Sequence, residues 1–442
     1  MTNEAHTPLH QTIGLKQMIF YATGSMLGAG VYGLIGQAAG LSGNAVWLSF
    51  IVALVAALLT GLSYASLGSR YPRAGGTAFI VERAFKSPAA GYALGLMLAC
   101  SAVIGIPTMA QVFARNFIDI FQMGDAMIPV VAVGFLALLA LVIFRGIEES
   151  MWLNILCCCI EALGLLIVIA TGFTHWGSVD YLEVPANTSA LLPGLGPLAV
   201  AVMSSTVLTF FAFIGFEDTL NVAEECKNPR RTLPIGLLTA MAIVAVLYIG
   251  VAITAVSVVP WQVLGDAKSP LTEVIRITAP GIPPALFTTI ALFSVTNTIL
   301  VNFITASRLL FGMSRQNLLP AALSRVHGRR RTPHVAVITL FVLFVPFAVF
   351  GTIAQLAAAS VLLLLSVFTV MNISLVILQR REGEEAGEFE IHRIIPILGS
   401  VVCVGLIIAR VVTGEWTAPA LAGGIVTAVI GAYYARRMLA PA

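Results

Sequence analysis

The chain has 442 residues, of which 58% are hydrophobic and only 10% charged, and its mean hydropathy is +0.96. Soluble globular domains carry roughly 25% charged residues, so this composition excludes a soluble domain and indicates an integral membrane protein. The formal net charge of +3 gives no reason to expect a nucleic-acid partner, and the informative quantity is where the charges lie along the chain.

Runs of about 20 apolar residues, long enough to cross the hydrocarbon core of a bilayer, predict twelve transmembrane helices joined by short connections. The predicted spans are 13–39, 42–66, 89–113, 126–145, 151–173, 196–223, 235–258, 283–311, 333–352, 354–379, 391–413 and 416–435. No soluble domain separates them. Residues 1–442 are therefore expected to form one all-α transmembrane domain embedded in the lipid bilayer.

The distribution of basic residues predicts the orientation. Twelve spans place both termini on the same side of the membrane. With that side in the cytoplasm, every basic residue except Arg115, Lys268, Arg276 and Arg410 falls in or beside a cytoplasmic segment, as the positive-inside rule expects. The first apolar segment is too long for a signal peptide. We expect a multi-pass protein of the cytoplasmic (inner or plasma) membrane with N- and C-termini in the cytoplasm.

The sequence favours neither a membrane enzyme nor an ATP-driven pump. Cys157, Cys158 and Cys159 diverge by about 100° per residue around a helix, so they cannot surround a metal ion. The predicted spans carry no cluster of His and Glu metal ligands and no Ser–His pair, and the chain has no nucleotide-binding motif. We therefore expect no metal site and no cofactor.

Glycines interrupt two of the predicted spans. GSMLGAGVYG (24–33) lies in the first span, and FFAFIGFEDTLNVAEE (210–225) lies at the corresponding position in the sixth. Interrupted helices in matching positions of two halves indicate a transporter built from inverted repeats, here 13–173 and 196–379, with a substrate site near the midplane. Residues 391–435 would add two further spans. A channel would more naturally show repeated pore-lining rings.

A helix break in a bilayer leaves backbone groups that a ligand can satisfy. Free amides at the first break would hold a carboxylate, and free carbonyls at the second would hold an ammonium group. The alternative is that Gly24, Gly28 and Gly33 only allow helices to approach closely.

Five stretches carry a resemblance to a known family: GSMLGAGVYGLIG (24–36), SYASLGSRYPRAGGTAF (63–79), FFAFIGFEDTLNVAEECKNPRRTLP (210–234), SRLLFGMSRQNLLP (307–320) and HGRRRTPHVAV (327–337). They resemble the amino acid/polyamine/organocation (APC) superfamily of transporters, and most of all its cationic amino acid transporter branch. The resemblance implies a LeuT-like fold, with helices one to five and six to ten as inverted repeats and helices one and six broken.

The resemblance also implies roles for individual residues. The unwound stretch of helix one, whose backbone would take the substrate carboxylate, corresponds to Ser25, Met26, Leu27, Gly28, Ala29 and Gly30. Phe211 would close over the substrate, and the carbonyls of Phe211, Ala212 and Ile214 would accept from its amino group. Phe211 is alternatively a simple packing residue.

Acidic residues at depth need a separate explanation because burying a charge is costly. Glu217 facing the pocket would favour substrates with a cationic side chain. The alternative is that one of Glu217 and Asp218 caps a half-helix and the other pairs with a loop cation. Glu161, in the middle of span five, would either exchange a coupling proton or be a structural residue, with Thr296 and Asn297 as its expected neighbours. Some proton-coupled members of the family carry a lysine in this region of helix five. Because this chain has Glu161 there instead, the mechanism that depends on the lysine cannot be transferred to it.

The cluster Glu224, Glu225, Lys227, Arg230 and Arg231 would belong to a cytoplasmic gating network or to a plain solvated loop. Taken together, the sequence predicts a secondary active transporter of L-amino acids that works by alternating access. Proton coupling is the favoured energy source, ahead of substrate exchange, and sodium coupling is disfavoured. The alternatives are a transporter of polyamines or other organic amines and a substrate-sensing receptor on the same scaffold.

Overall fold

The structure is a computed structural model that describes residue 9 and residues 11–186, 196–267, 269–350, 353–384, 386–413 and 417–439. These residues form α-helices and short 3-10 turns, and no β-strand occurs among them. The helices are α1 Leu15–Leu27, α2 Ala29–Ser42, α3 Val46–Arg70, α4 Gly76–Phe85, α5 Pro88–Phe121, α6 Ile128–Arg145, α7 Ile147–Gly172, α8 Pro197–Ala212, α9 Asp218–Asn221, α10 Pro229–Val258, α11 Trp261–Asp266, α12 Pro270–Thr278, α13 Pro284–Arg315, α14 His334–Phe350, α15 Ile353–Arg380, α16 Ile394–Thr413 and α17 Thr417–Leu439.

Seven helical stretches of the described chain are long and apolar enough to cross a membrane. They are Leu34–Arg70, Pro88–Ile118, Asp125–Arg145, Ile147–His175, Pro229–Val258, Ala285–Arg315 and Ala359–Arg380. Four shorter apolar stretches are Pro197–Ala212, His334–Phe350, Ile394–Ile408 and Pro419–Gly431. The all-α membrane fold is confirmed, while the total of twelve spans and the division into 13–173, 196–379 and 391–435 stay predictions.

The outer helices expose apolar side chains that water would solvate poorly. On α6, Val130, Leu138 and Leu141 are each more than half exposed. A contiguous apolar face of this kind fits contact with lipid chains rather than with water.

The two glycine-interrupted segments lie in the interior. α1 packs against α7, α10 and α13, and α8 packs against α2 and α3. α1 ends at Leu27, α2 begins at Ala29, and Gly28 between them has non-helical φ and ψ angles of −13° and −178°. α8 ends at Ala212, and a turn over 213–217 separates it from α9. Both breaks expose backbone groups that need partners in a bilayer, and these partners define the site.

Candidate functional site

Side chains on other helices satisfy the carbonyls at the first break. The hydroxyl of Tyr248 on α10 donates to the carbonyl oxygen of Met26 at 2.6 Å. Nδ2 of Asn297 on α13 donates to the carbonyl oxygen of Gly24 at 3.2 Å, and Oδ1 of Asn297 accepts from Nδ2 of Asn154 at 2.8 Å. A helix that stops leaves its last carbonyls without amide partners, so these two donors compensate for the end of α1.

Gly24 and Gly28 both touch α13. A Cβ built on Gly28 would lie 2.5 Å from Oγ1 of Thr298, and one on Gly24 would lie 2.5 Å from Nδ2 of Asn297. Both distances are far below van der Waals contact. Close helix approach is therefore part of the reason for these glycines, whether or not a ligand also uses the space.

The second break turns at Gly215, whose φ of +127° is a conformation that residues with a Cβ rarely adopt. Its amide nitrogen donates to Oε2 of Glu217 at 2.8 Å. A Cβ on Gly215 would lie 2.5 Å from the carbonyl oxygen of Ser25. The two breaks therefore contact each other directly at Gly215 and Ser25.

Tyr248 joins the two breaks through a single hydroxyl. Besides Met26, this hydroxyl approaches the carbonyl oxygen of Ala212, the last residue of α8, at 3.1 Å. Its ring packs against Phe50 and Phe213, with centroids 5.7 and 5.3 Å away. The carbonyl of Ala212, expected to accept from a substrate amino group, thus already has a protein partner and keeps one lone pair free.

Tyr248 is absent from the residues predicted from the sequence. The signal that would have found it is a tyrosine in the middle of the predominantly apolar span 235–258. A phenol at bilayer depth needs an acceptor, and the carbonyls at a helix break are acceptors in need of a donor.

Two adjacent carboxylates face a cavity beside the breaks. Oγ of Ser25 donates to Oδ2 of Asp218 at 2.5 Å, so the partner of Asp218 is not the loop cation considered above. Asp218 and Glu217 are both buried and line a cavity of about 130 Å³ between α5, α13 and α15. Its other polar lining side chains are Ser101, Thr298, Asn302, Thr305 and Ser360. Among the described lining residues there is no cationic side chain.

The residues predicted to bind substrate lie close together but differ in exposure. Those that are buried are Ser25, Met26, Leu27, Gly28, Ala212 and Glu217. Phe211 and Ile214 are half-buried and pack against the core. Of Ala29 and Gly30 only the helical backbone is described. Glu217 is the one member of this set that appears among the described residues lining the cavity.

Residues 13–430 match the profile of a family described as amino acid permease. The chain belongs to this amino acid permease family. The resemblance to APC transporters is thereby confirmed, and the permease is a transporter and not an enzyme. Among its described residues, no group of three or more His, Cys, Asp or Glu side chains could hold a metal ion.

The permease is similar to several curated proteins. It is 29% identical over 339 residues to cationic amino acid transporter 9, chloroplastic, of Arabidopsis thaliana, covering 72% of this chain and 58% of that protein. It is 26% identical over 428 residues to the branched-chain amino acid permease BcaP of Bacillus subtilis (strain 168), covering 90% and 88%. It is 24% identical over 415 residues to the methylthioribose transporter of the same bacterium, covering 90% and 87%. The chain thus spans under two thirds of the plant protein and most of both bacterial ones.

Glu161 lies on α7 in the interior of the permease and is fully buried. Its Oε1 accepts from Oγ of Ser294 at 2.6 Å, and its Oε2 has no hydrogen-bond partner among the described residues. The hydroxyl of Thr296, an expected neighbour, instead donates to the carbonyl oxygen of Leu292 within α13 at 2.7 Å. The hydrogen-bond partner of Glu161 is therefore a serine that the sequence did not indicate, while Asn297, the other expected neighbour, does lie beside the carboxyl.

A buried ion pair lies on the predicted cytoplasmic side of the cavity. Nε and Nη2 of Arg308 on α13 donate to the two carboxylate oxygens of Glu225, each at 3.0 Å. The side chains are 0% and 1% exposed. Removing one partner of such a pair leaves an uncompensated buried charge, so α13 is firmly joined to the segment that follows α9.

The start of α1 is attached to the same segment. The amide nitrogen of Ile13 donates to the carbonyl oxygen of Glu225 at 2.9 Å, and that of Lys227 donates to the carbonyl oxygen of Ile13 at 2.8 Å. Glu224 pairs with Arg315 on α13 at 2.7 Å. Two members of the expected cluster, Glu224 and Glu225, thus form specific ion pairs with α13, whereas Lys227, Arg230 and Arg231 are exposed.

Proposed function

We propose that this permease is a secondary active transporter of L-amino acids that works by alternating access across the cytoplasmic membrane, with both termini in the cytoplasm. The proposal includes a LeuT-like arrangement of twelve helices. In it, 13–173 and 196–379 form inverted repeats and 391–435 adds two helices.

The observation that carries the proposal is the direct contact between two helix breaks beside a cavity. α2 begins at Ala29, so its N-terminus directs partial positive charge at the first break, and α8 ends at Ala212, so its C-terminus directs partial negative charge at the second. We assign the substrate carboxylate to the backbone of Ser25–Gly30. We assign its ammonium group to the backbone carbonyls at 211, 212 and 214.

The cavity favours a cationic substrate side chain. The relatives are named for cationic amino acids, branched-chain amino acids and methylthioribose, so their names do not decide the side-chain class. Glu217 and Asp218 place two carboxyl groups in a low-dielectric cavity without a cationic partner among its described lining residues. A cation on the substrate would supply the missing charge.

Proton coupling is the energy source we propose, with Glu161 as the exchanging group. Its carboxyl is buried, contacts no cationic side chain among the described residues and has one oxygen free of hydrogen bonds. Such a group is expensive to keep ionised in a membrane interior and can hold a proton in one state of the cycle and release it in another. Amino acid exchange is the alternative.

The test is uptake into proteoliposomes that contain the purified protein. A panel of labelled amino acids and polyamines is offered with and without an imposed pH gradient. We expect uptake of one or more amino acids, strongest for L-arginine or L-lysine, and stimulation by an inside-alkaline gradient. Amidation of the substrate carboxylate should abolish competition. Strong competition by putrescine would favour an organic-amine transporter, and binding without uptake would favour a receptor.

A further inference from the structure

The charged connection between α15 and α16 lies across the ends of three other elements. We call its described residues, 381–384 and 386–390, the strap. The base of the strap is fixed, because Nε2 of Gln379 donates to the carbonyl oxygen of Ile391 at 2.8 Å and Nη2 of Arg393 donates to that of Gln379 at 2.9 Å. The two ends of the strap are therefore joined to each other, and its charged side chains are available to contact other elements.

The first contact of the strap is with the end of α3. Nε and Nη2 of Arg70 donate to the two carboxylate oxygens of Glu390, each at 2.7 Å. The Arg70 side chain is only 7% exposed. The backbone nitrogen of Phe389 donates to Oγ of Ser69 at 3.0 Å, and Ser69 is fully buried beneath it. A paired fork geometry of this kind is among the stronger ionic contacts in proteins.

The second contact is with α4 and the residue that follows α3. Oε2 of Glu384 accepts from the hydroxyl of Tyr71 at 2.7 Å and from Nε of Arg83 at 2.8 Å. Burial opposes ionisation of Glu384, but these hydrogen bonds outweigh it and lower its pKa below the ordinary value. Arg381 donates to the carbonyl oxygens of Arg83 and Ala84 at 2.7 and 2.6 Å.

The third contact is with the start of α10, where Nε of Arg231 and Oε2 of Glu388 are 2.5 Å apart. This pair is exposed and contributes little energy alone. Its position is more important than its energy, because through this pair the strap contacts α10 as well as α3.

These contacts join helices of two groups, one that includes the first break and one that lines the cavity. α3 and α10 pack against each other, and α10 packs along α1, which carries the first break. α4 packs against α5 and α15, which line the cavity. The strap holds α3, α10 and α4 together, so it opposes any opening of the cavity on its side of the membrane that moves α3 and α10 away from α4.

We propose that the strap is a conformational latch that has to release from α3 each time the cavity opens on its side of the membrane. The inference rests on the proposed alternating-access function. It names a segment outside the substrate site whose detachment is a step of the cycle, and it predicts that fixing the strap blocks turnover without occupying the site.

A reversible cross-link tests the latch. A Cβ built on Gly387 would lie 3.1 Å from Oγ of Ser69, within the range that a disulfide can bridge. Gly387 has no positive φ, so its backbone conformation accepts a cysteine; the new Cβ would also lie 3.1 Å from Cγ of Arg70, which has to shift by a few tenths of an ångström. In reconstituted S69C/G387C, we expect oxidation to lower amino acid uptake more than tenfold and dithiothreitol to restore it. Oxidised S69C and G387C single variants should transport like the unmodified protein treated in the same way.

Failure of the latch is distinguishable from failure of transport itself. If the unmodified protein takes up no amino acid, the proposed transport function is refuted, and with it the latch that rests on that function. If it does, and if intact-mass measurement shows complete cross-linking with uptake unchanged, the latch is refuted. Failure of the cross-link to form also refutes it, because the contact on which the latch rests would then be absent.

A second measurement does not depend on the cross-link. Because Ser69 is buried under Phe389, a cysteine at 69 should react with a membrane-impermeant maleimide only when the strap is released. For S69C we expect labelling at least fivefold faster when a mixture of the common L-amino acids is being transported than in its absence. Equal labelling rates in the two conditions would overturn the proposal.

Discussion

Replacing Tyr248 by phenylalanine removes one oxygen atom and the donor that both helix breaks share. The ring keeps its contacts with Phe50 and Phe213. The carbonyls of Met26 and Ala212 lose a bond of 2.6 Å and a contact of 3.1 Å. The substitution therefore isolates the hydroxyl without creating a large cavity.

The magnitude follows from what the two carbonyls lose. Hydrogen bonds within membrane proteins contribute about 0.6 kcal/mol on average and about 1.7 kcal/mol at most, and a buried acceptor left without a donor costs about 1–3 kcal/mol. We expect Tyr248→Phe to cost about 1–2 kcal/mol, a factor of about 5–30 in an equilibrium constant. Since the binding-competent arrangement of the breaks is then populated less, apparent affinity falls by a similar factor.

The assay is amino acid uptake in proteoliposomes, with the thermal unfolding midpoint measured on the same preparation. We expect KM to rise about 5- to 30-fold, by the same reasoning, while the maximal rate changes less. The matched control is Tyr64→Phe, because Tyr64 is equally buried in an aromatic cluster but its hydroxyl has no partner among the described residues. An unchanged KM for Tyr248→Phe, or an equal effect in both variants, would refute the reasoning.

Three further predictions concern other parts of the site. Gly28→Val should abolish uptake, because the new side chain would occupy the proposed carboxylate site, and it should lower the thermal unfolding midpoint, because its Cβ would lie 2.5 Å from Oγ1 of Thr298 on α13; normal uptake would contradict the site assignment. Glu161→Gln should flatten the pH dependence of uptake, because an amide exchanges no proton, and an unchanged pH profile would make the residue structural. Arg308→Gln should lower the free energy of unfolding by about 3–5 kcal/mol, because Glu225 is left buried and charged. Its control is Arg315→Gln, which breaks a more exposed pair and should cost about 0–1 kcal/mol. Equal thermal unfolding midpoints in the two variants would show that burial of the pair is irrelevant.

The positions of the interruptions follow from local chemistry, which is why the sequence indicates them. Gly28 lies between two helices, and Gly215 has a backbone conformation that few other residues tolerate. Both lie in stretches that the sequence predicts to cross a bilayer, so the conflict between a helix-breaking residue and an environment that requires a helix is visible in the chain itself.

The partners at the breaks could not be predicted in the same way, because they come from distant parts of the chain. Tyr248 satisfies carbonyls at positions 26 and 212, and Ser294 is the partner of Glu161. Hydropathy does not give the register between helices. A serine at 294 and a threonine at 296 are therefore equally plausible hydrogen-bond partners of Glu161 until the packing of α7 against α13 is known. The same limit applies to the strap, because the sequence does not indicate that Arg70 lies beside Glu390.

The cavity carboxylates connect ligand charge to the position of α1. Asp218 holds α1 through Ser25, and one turn earlier Tyr21 of α1 meets Thr305 on the cavity wall at 2.9 Å. Because a carboxylate has about four acceptor positions, Asp218 can receive a cationic group and retain Ser25, and the added charge strengthens retention of a carboxylate that is otherwise costly to bury. On the proposed function, an occupied cavity would therefore favour α1 in the position attached to Asp218, and loss of the cation from the cavity would weaken that attachment.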